Sequence, residues 1–168
     1  MWLFPVGLAI HDFEEAFAMP AFFSSHAEEL GRIAAAHPLI GFLLHEESGS
    51  SALTLFAICL VVALSFGITA LAFVHKGKGP WMFFYEVVLG MATLHVFIHI
   101  GQAVYFRAYV PGLVDAVLVL LPFCVAVYRR LFIMGGITIG RAVFSATIGI
   151  VLFVPTAFAA VSLAAMIF

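Results

Sequence analysis

Charge is what this sequence has least of. Only 10% of its 168 residues are Asp, Glu, Lys or Arg, against 65% hydrophobic residues and a mean hydropathy of +1.21. So few charges cannot cover a soluble domain of this length, and the composition specifies an integral membrane protein instead. Seven basic residues and a formal net charge of −2 leave no cationic surface for nucleic acid. Cysteine is scarcer still. Cys59 and Cys124 both sit in apolar runs, which argues against a disulfide framework, takes thiolates out of any metal site, and leaves two small hydrophobes for packing. A basic leader is also missing. Ala16-Phe17-Ala18 resembles a small-residue cleavage site, but no basic residue precedes it and acids interrupt the apolar run, so the segment is kept as structure.

What the sequence has is apolar runs of membrane-spanning length joined by short connections. They predict an all-α, polytopic transmembrane helix bundle of about five helices, with residues 1–168 forming a single domain. The expected spans are residues 2–23, 51–75, 82–106, 113–128 and 142–168. Pro5 falls in a first turn, where its missing N–H is no loss; Pro20 is expected to end or kink the first span, and Pro155 to kink the last. Lys76-Gly77-Lys78-Gly79-Pro80 and Pro111-Gly112 mark turns. Trp81 is placed as an interfacial anchor. Residues 24–50 form the longest polar stretch, and their apolar pieces are too short to span, so an interfacial or re-entrant segment is expected.

Against this background the first span is anomalous, because it contains His11-Asp12-Phe13-Glu14-Glu15. Residues at i, i+3 and i+4 share a helix face, so His11, Glu14 and Glu15 form one polar spot. Each ionised group near the bilayer centre costs roughly 2.5–3.5 kcal/mol on insertion scales. The third span supplies a matching face, where His95, His99 and Gln102 recur at i, i+4 and i+7. At 1.5 Å per residue, His11 and Glu15 lie roughly 14 and 20 Å along their helix, and His95 and His99 roughly 20 and 26 Å along theirs. Asp115 opens the fourth span near the same end.

Imidazole and carboxylate in i, i+4 pairs suit a divalent metal, zinc or iron. The predicted ligands are His11, Glu14, Glu15, His95, His99 and Asp115, with Glu14 doubling as a catalytic acid/base. Such a site would use the ion on a lipid-like or hydrophobic substrate. Two other readings stay open: a metal-free acid/base isomerase, and a non-enzymatic ion-binding, small-molecule-binding or accessory subunit of a membrane complex. Glu86 lies nine residues before His95, half a turn out of phase, and is expected to point away and snorkel near a helix end. His26, His37, His45 and His75 are read as surface or interfacial histidines.

The combination of His11-Asp12-Phe13-Glu14-Glu15 in a first helix, His99 in a later one, and Tyr109-Val110-Pro111-Gly112 leading into an apolar helix with Pro122 resembles the HXXEE family of small bacterial membrane proteins. The resemblance covers the chain to about Arg130. It implies that His11, Glu14, Glu15 and His99 belong to one site, in a bacterial cell membrane, and it brings no established activity. In the family's pattern an asparagine stands four residues before the later histidine and a threonine follows the Pro-Gly. Here His95 and Asp115 take those places, adding two candidate ligands, which would suit a second ion or a changed reaction.

If connections alternate sides, Lys76, Lys78, Arg129, Arg130 and Arg141 gather on one side, five of the seven basic residues. That bias predicts a cytoplasmic N-terminus. Reporter fusions are expected to place residues 76–80 and 129–141 in the cytoplasm and residues 24–50 outside; a cytoplasmic 24–50 segment would invert the topology.

Overall fold

The computed structural model describes residues 1–38, 40–42 and 51–167, and among them it is helical without a strand. Helices α1 (Leu3–Ser25), α2 (Ala27–Ala36), α3 (Ser51–Val74), α4 (Pro80–Phe106), α5 (Leu113–Ile133) and α6 (Ile139–Ala165) follow in order. By length and composition α3, α4, α5 and α6 can each cross a membrane. At 23 residues α1 matches them in length and differs by carrying Asp12, Glu14 and Glu15. The expected all-α bundle is therefore present, with five long helices among the described residues.

Several boundaries differ from expectation for local reasons. Pro20 lies inside α1, which continues to Ser25. Arg129-Arg130 does not close α5, because Leu131, Phe132 and Ile133 extend its apolar run and Gly135, at φ +64°, supplies the stop. The last helix starts at Ile139 rather than near residue 142, since the Thr138 hydroxyl accepts the Arg141 N–H at 3.2 Å and caps it. In α2, Glu28 and Glu29 occupy the first turn, where the helix dipole favours acids, and no residue is buried. His45, Glu46 and Glu47 lie outside the described residues.

Ring contacts set the relative directions. Phe4 meets Tyr85 near one end of α1 and Phe22 meets Phe106 near the other, so α1 and α4 run parallel. Their shared core includes Phe4, Leu8, Tyr85, Leu89, Leu120 and Cys124, which joins α5 to the pair. A smaller cluster of Leu53, Ala57, Ala160, Val161 and Ala164 ties α3 to α6.

Glycine brings α4 and α6 together. A Cβ on Gly90 would stand 2.7 Å from the Ala146 Cα, and one on Gly149 would stand 2.7 Å from the Val87 carbonyl oxygen. Small residues at such a seam let two membrane helices approach to backbone contact, where dispersion rather than a hydrophobic force holds them. On the same seam Arg141 Nε donates to Glu86 Oε2 at 2.7 Å. Glu86 is 0% exposed, so it does not snorkel as expected. It does point away from the histidines. Because Arg141 lies in the first turn of α6, its guanidinium reaches Glu86, and the pair offsets a charge that would be costly alone.

Inside α5, residues Ala116–Leu120 form a π-helical turn, closed by the Leu121 N–H bonding to the Ala116 carbonyl. Pro122 follows directly and has no N–H for a regular bond to Leu118, so the wider turn sits where the ladder is already interrupted.

Gly90→Val and Gly149→Val are expected to destabilise the bundle by about 1–3 kcal/mol through overpacking. Gly67→Ala, with nothing within 4 Å of its new Cβ, should hold or raise the melting temperature. Thermal unfolding in one detergent compares the three variants.

Candidate metal centre

The parallel course of α1 and α4 brings their two polar spots to one level. Three imidazole Nε2 atoms surround one oxygen of Glu15, with His95 at 3.6 Å, His11 at 3.8 Å and His99 at 3.9 Å. The rings stand nearly perpendicular to one another, their centroids 4.4 to 4.9 Å apart. One donor atom from each of His11, Glu15, His95 and His99 lies within 4.8 Å of every other. Four nitrogen and oxygen donors around a tetrahedral ion stand roughly 3.3 Å apart. The Glu15 oxygen stands slightly farther than that from each imidazole nitrogen, the His95 and His99 Nε2 atoms at 3.0 Å stand slightly closer, and the donor chemistry is right.

One ring is oriented from outside the quartet. His11 Nδ1 lies 3.0 Å from the Gly112 carbonyl oxygen. A carbonyl can only accept, so Nδ1 carries the hydrogen, and in the neutral ring the Nε2 lone pair then faces Glu15. His11 is 0% exposed, and its Nε2 has no hydrogen-bond partner among the described residues. A buried acceptor without a donor is costly and rare. A cation among the four donors would satisfy it.

Gly112 is required twice over. Its φ of +79° lies in the left-handed region, and a Cβ there would stand 2.5 Å from His11 Cε1 and 3.1 Å from His99 Cε1. The Val110-Pro111-Gly112 turn is itself buried, and the Gly112 carbonyl also accepts the Ala116 N–H at 2.8 Å. One backbone oxygen thus joins the His11 ring to the start of the π-helical turn.

Charge around the quartet extends to Asp12. It is 5% exposed, with Oδ1 3.9 Å from His11 Nε2. A dication beside Glu15 and Asp12 would be formally neutral, which apolar surroundings favour. Sequence reasoning did not select Asp12, although it stands inside the motif, because its position beside His11 puts it about 100° around the helix from that ring.

Glu14 and Asp115 fall outside the converging four. Glu14 Oε1 accepts a short hydrogen bond from the Tyr109 hydroxyl, while its Oε2 is buried without a hydrogen-bond partner among the described residues. Desolvation, and then the bond to Glu14, push the Tyr109 hydroxyl up to about 12, so it stays a protonated donor at physiological pH. Asp115 is half-buried in the first turn of α5. Gln102 is exposed and does not join the site. His26 closes the C-terminal end of α1 instead, its Nδ1 3.2 Å from the Phe22 carbonyl and its ring stacked on Phe22 at 4.3 Å. His75 is exposed at the end of α3, as expected.

Access is one-sided. The His11 and His99 side chains are closed off, whereas Glu15 and His95 keep 18% and 19% of theirs exposed. Phe153 of α6 lies against the His95 ring at 5.4 Å and walls one edge. Both open residues lie well inside their helices rather than at an end.

Gly112→Ala is expected to be among the most damaging single-atom additions in the chain. It should lower the melting temperature and disrupt the His11 and His99 ring positions, seen as altered imidazole resonances by NMR. Gly101→Ala, with open space around its Cβ, is the matched control.

No curated protein matches the chain, and no solved structure matches it. A family model described as a protein of unknown function with HXXEE motif matches residues 2–127, which include His11, Glu14, Glu15, His95, His99 and Gly112. Three quarters of the chain lie inside that match, and the chain belongs to the HXXEE family.

Proposed function

We propose that His11, Glu15, His95 and His99 hold a divalent cation, zinc or iron, and that the protein is a metal-dependent membrane enzyme acting on a lipid-like substrate. The observation that carries this reading is the convergence of three Nε2 atoms on one Glu15 oxygen, within 3.6 to 3.9 Å. Three neutral imidazoles and one carboxylate suit either metal. The ion would supply Lewis acidity. The chain's own residues would do the rest. The Gly112 carbonyl holds the His11 ring, Glu14 moves a proton at its free oxygen, and the Tyr109 hydroxyl positions Glu14 through the other. Because the quartet opens mid-helix, at Glu15 and His95, a substrate would enter from the bilayer. The basic bias of the sequence would place the N-terminus in the cytoplasm of a bacterial cell and the site toward the outer leaflet. Asp115, in the first turn of α5, is a candidate for a second ion or for charge balance.

One observation favours metal-free acid/base chemistry: His95 Nε2 and His99 Nε2 lie 3.0 Å apart, a hydrogen-bond distance if one of them is protonated. Metal content separates the two readings. The protein purified after gentle extraction is expected to contain stoichiometric zinc or iron by elemental analysis, and His99→Ala to lose it. A chelator should lower the melting temperature and the metal restore it, by about 2.7 kcal/mol at a hundredfold excess over Kd. Glu15→Gln should abolish that response. Protons compete for ligand imidazoles, so metal and the stability it brings are expected to be retained at neutral pH and lost as pH falls. A metal-free protein that ignores the chelator would leave the acid/base reading or a hydrogen-bonded cluster that only fixes packing.

A further inference from the structure

At the opposite end of α1 from its junction with α2, a cavity of about 730 Å³ opens between α1, α3 and α5. Trp2, Phe73, Met82 and Leu131 form its apolar walls, Lys76 and Arg130 are its charged side chains, and among the described residues no acidic one lines it. Among the described residues neither cation makes an ion pair or a side-chain hydrogen bond. His11 stands nine residues, roughly 14 Å, along α1 from Trp2. The cavity is therefore separate from the histidine quartet.

The backbone around it adds a second, independent observation. The helices α3 and α5 both end here in the same motif: Lys76 N–H bonds to Phe73 O at 2.9 Å and Gly77 N–H to Ala72 O at 2.8 Å, while Gly135 N–H bonds to Phe132 O at 3.1 Å and Gly136 N–H to Leu131 O at 2.9 Å. This ending places one residue in the left-handed region, which favours glycine. In α5 that residue is Gly135, at φ +64°. In α3 it is Lys76, at φ +55°, although glycine follows at the next position. A strained lysine thus stands beside the cavity where glycine would fit freely.

Apolar walls, cations without counter-ions and a position at a helix end describe an amphiphile with a negative head. We infer that this cavity binds one anionic phospholipid, its phosphate between Lys76 and Arg130 and an acyl chain against Trp2, Phe73 and Leu131. A free phosphate would satisfy the cations and leave the walls uncovered. A zwitterionic lipid would cover the walls and bring its own cation to a basic site.

The full chain, reconstituted in equal phosphatidylglycerol and phosphatidylcholine of matched acyl chains, is extracted and examined by native mass spectrometry. One retained phosphatidylglycerol is expected. Arg130→Gln and Lys76→Gly should each reduce that retention about fivefold, the effect of one basic residue at an anionic membrane surface. Arg129→Gln, next to Arg130 but not lining the cavity, should leave it unchanged. Lys76→Gly should also raise the melting temperature by relieving the left-handed strain, which separates lost binding from lost folding. Equal retention of the two lipids or of neither, losses matched by Arg129→Gln, or displacement of lipid by excess inorganic phosphate would each overturn the assignment.

Discussion

An ionisable group in an apolar slab has to be neutralised by something nearby, and much of this bundle is arranged around that requirement. Two devices meet it. On the α4–α6 seam the offset is internal, a fully buried Glu86 bound by Arg141. Between α1 and α4 no basic side chain other than histidine approaches Glu15 in any ion pair among the described residues. Three imidazoles do, and they are also good metal ligands. The first device ties two helices together and the second leaves a centre that a cation completes.

The two are linked by packing. Gly90 and Gly149 bring α6 close to α4, and this carries Phe153 onto the face of His95. The ring of a histidine near an opening is thereby held by an aromatic wall rather than by a hydrogen bond alone. On the other side, the Val110-Pro111-Gly112 turn presses a backbone carbonyl against His11. Packed elements thus hold the donor set on both flanks, as a preorganised site requires.

Where helical periodicity is the deciding physics, the sequence was informative. The i, i+4 spacing of His11 with Glu15 and of His95 with His99, together with equal depth on parallel helices, identified all four members of the quartet. Periodicity is blind to contacts that are not helical. The Gly112 carbonyl and the Tyr109 hydroxyl act from a connection, and only the resemblance of Tyr109-Val110-Pro111-Gly112 to the family's pattern pointed toward them. Glu86 was correctly turned away from the histidines, but its burial depended on where α6 begins. The Thr138 cap sets that start, three residues earlier than hydropathy indicated. Arg129-Arg130 misled for a related reason: long cationic side chains at a membrane boundary reach water while their backbone continues as helix.

The donors of the quartet and the carbonyl that orients it are widely separated along the chain: Gly112 lies 101 residues after His11. During synthesis α1 emerges, with its acids, while its counterpart histidines and the buried turn are still to be made. The site therefore has no complete form until α4 has been inserted and the turn into α5 has closed. Until then α1 has little reason to settle at its final depth, since each unmatched charge opposes its burial. Biogenesis of this bundle is consequently an ordering problem, in which α1 is made well before the histidines and the turn that complete its polar spot.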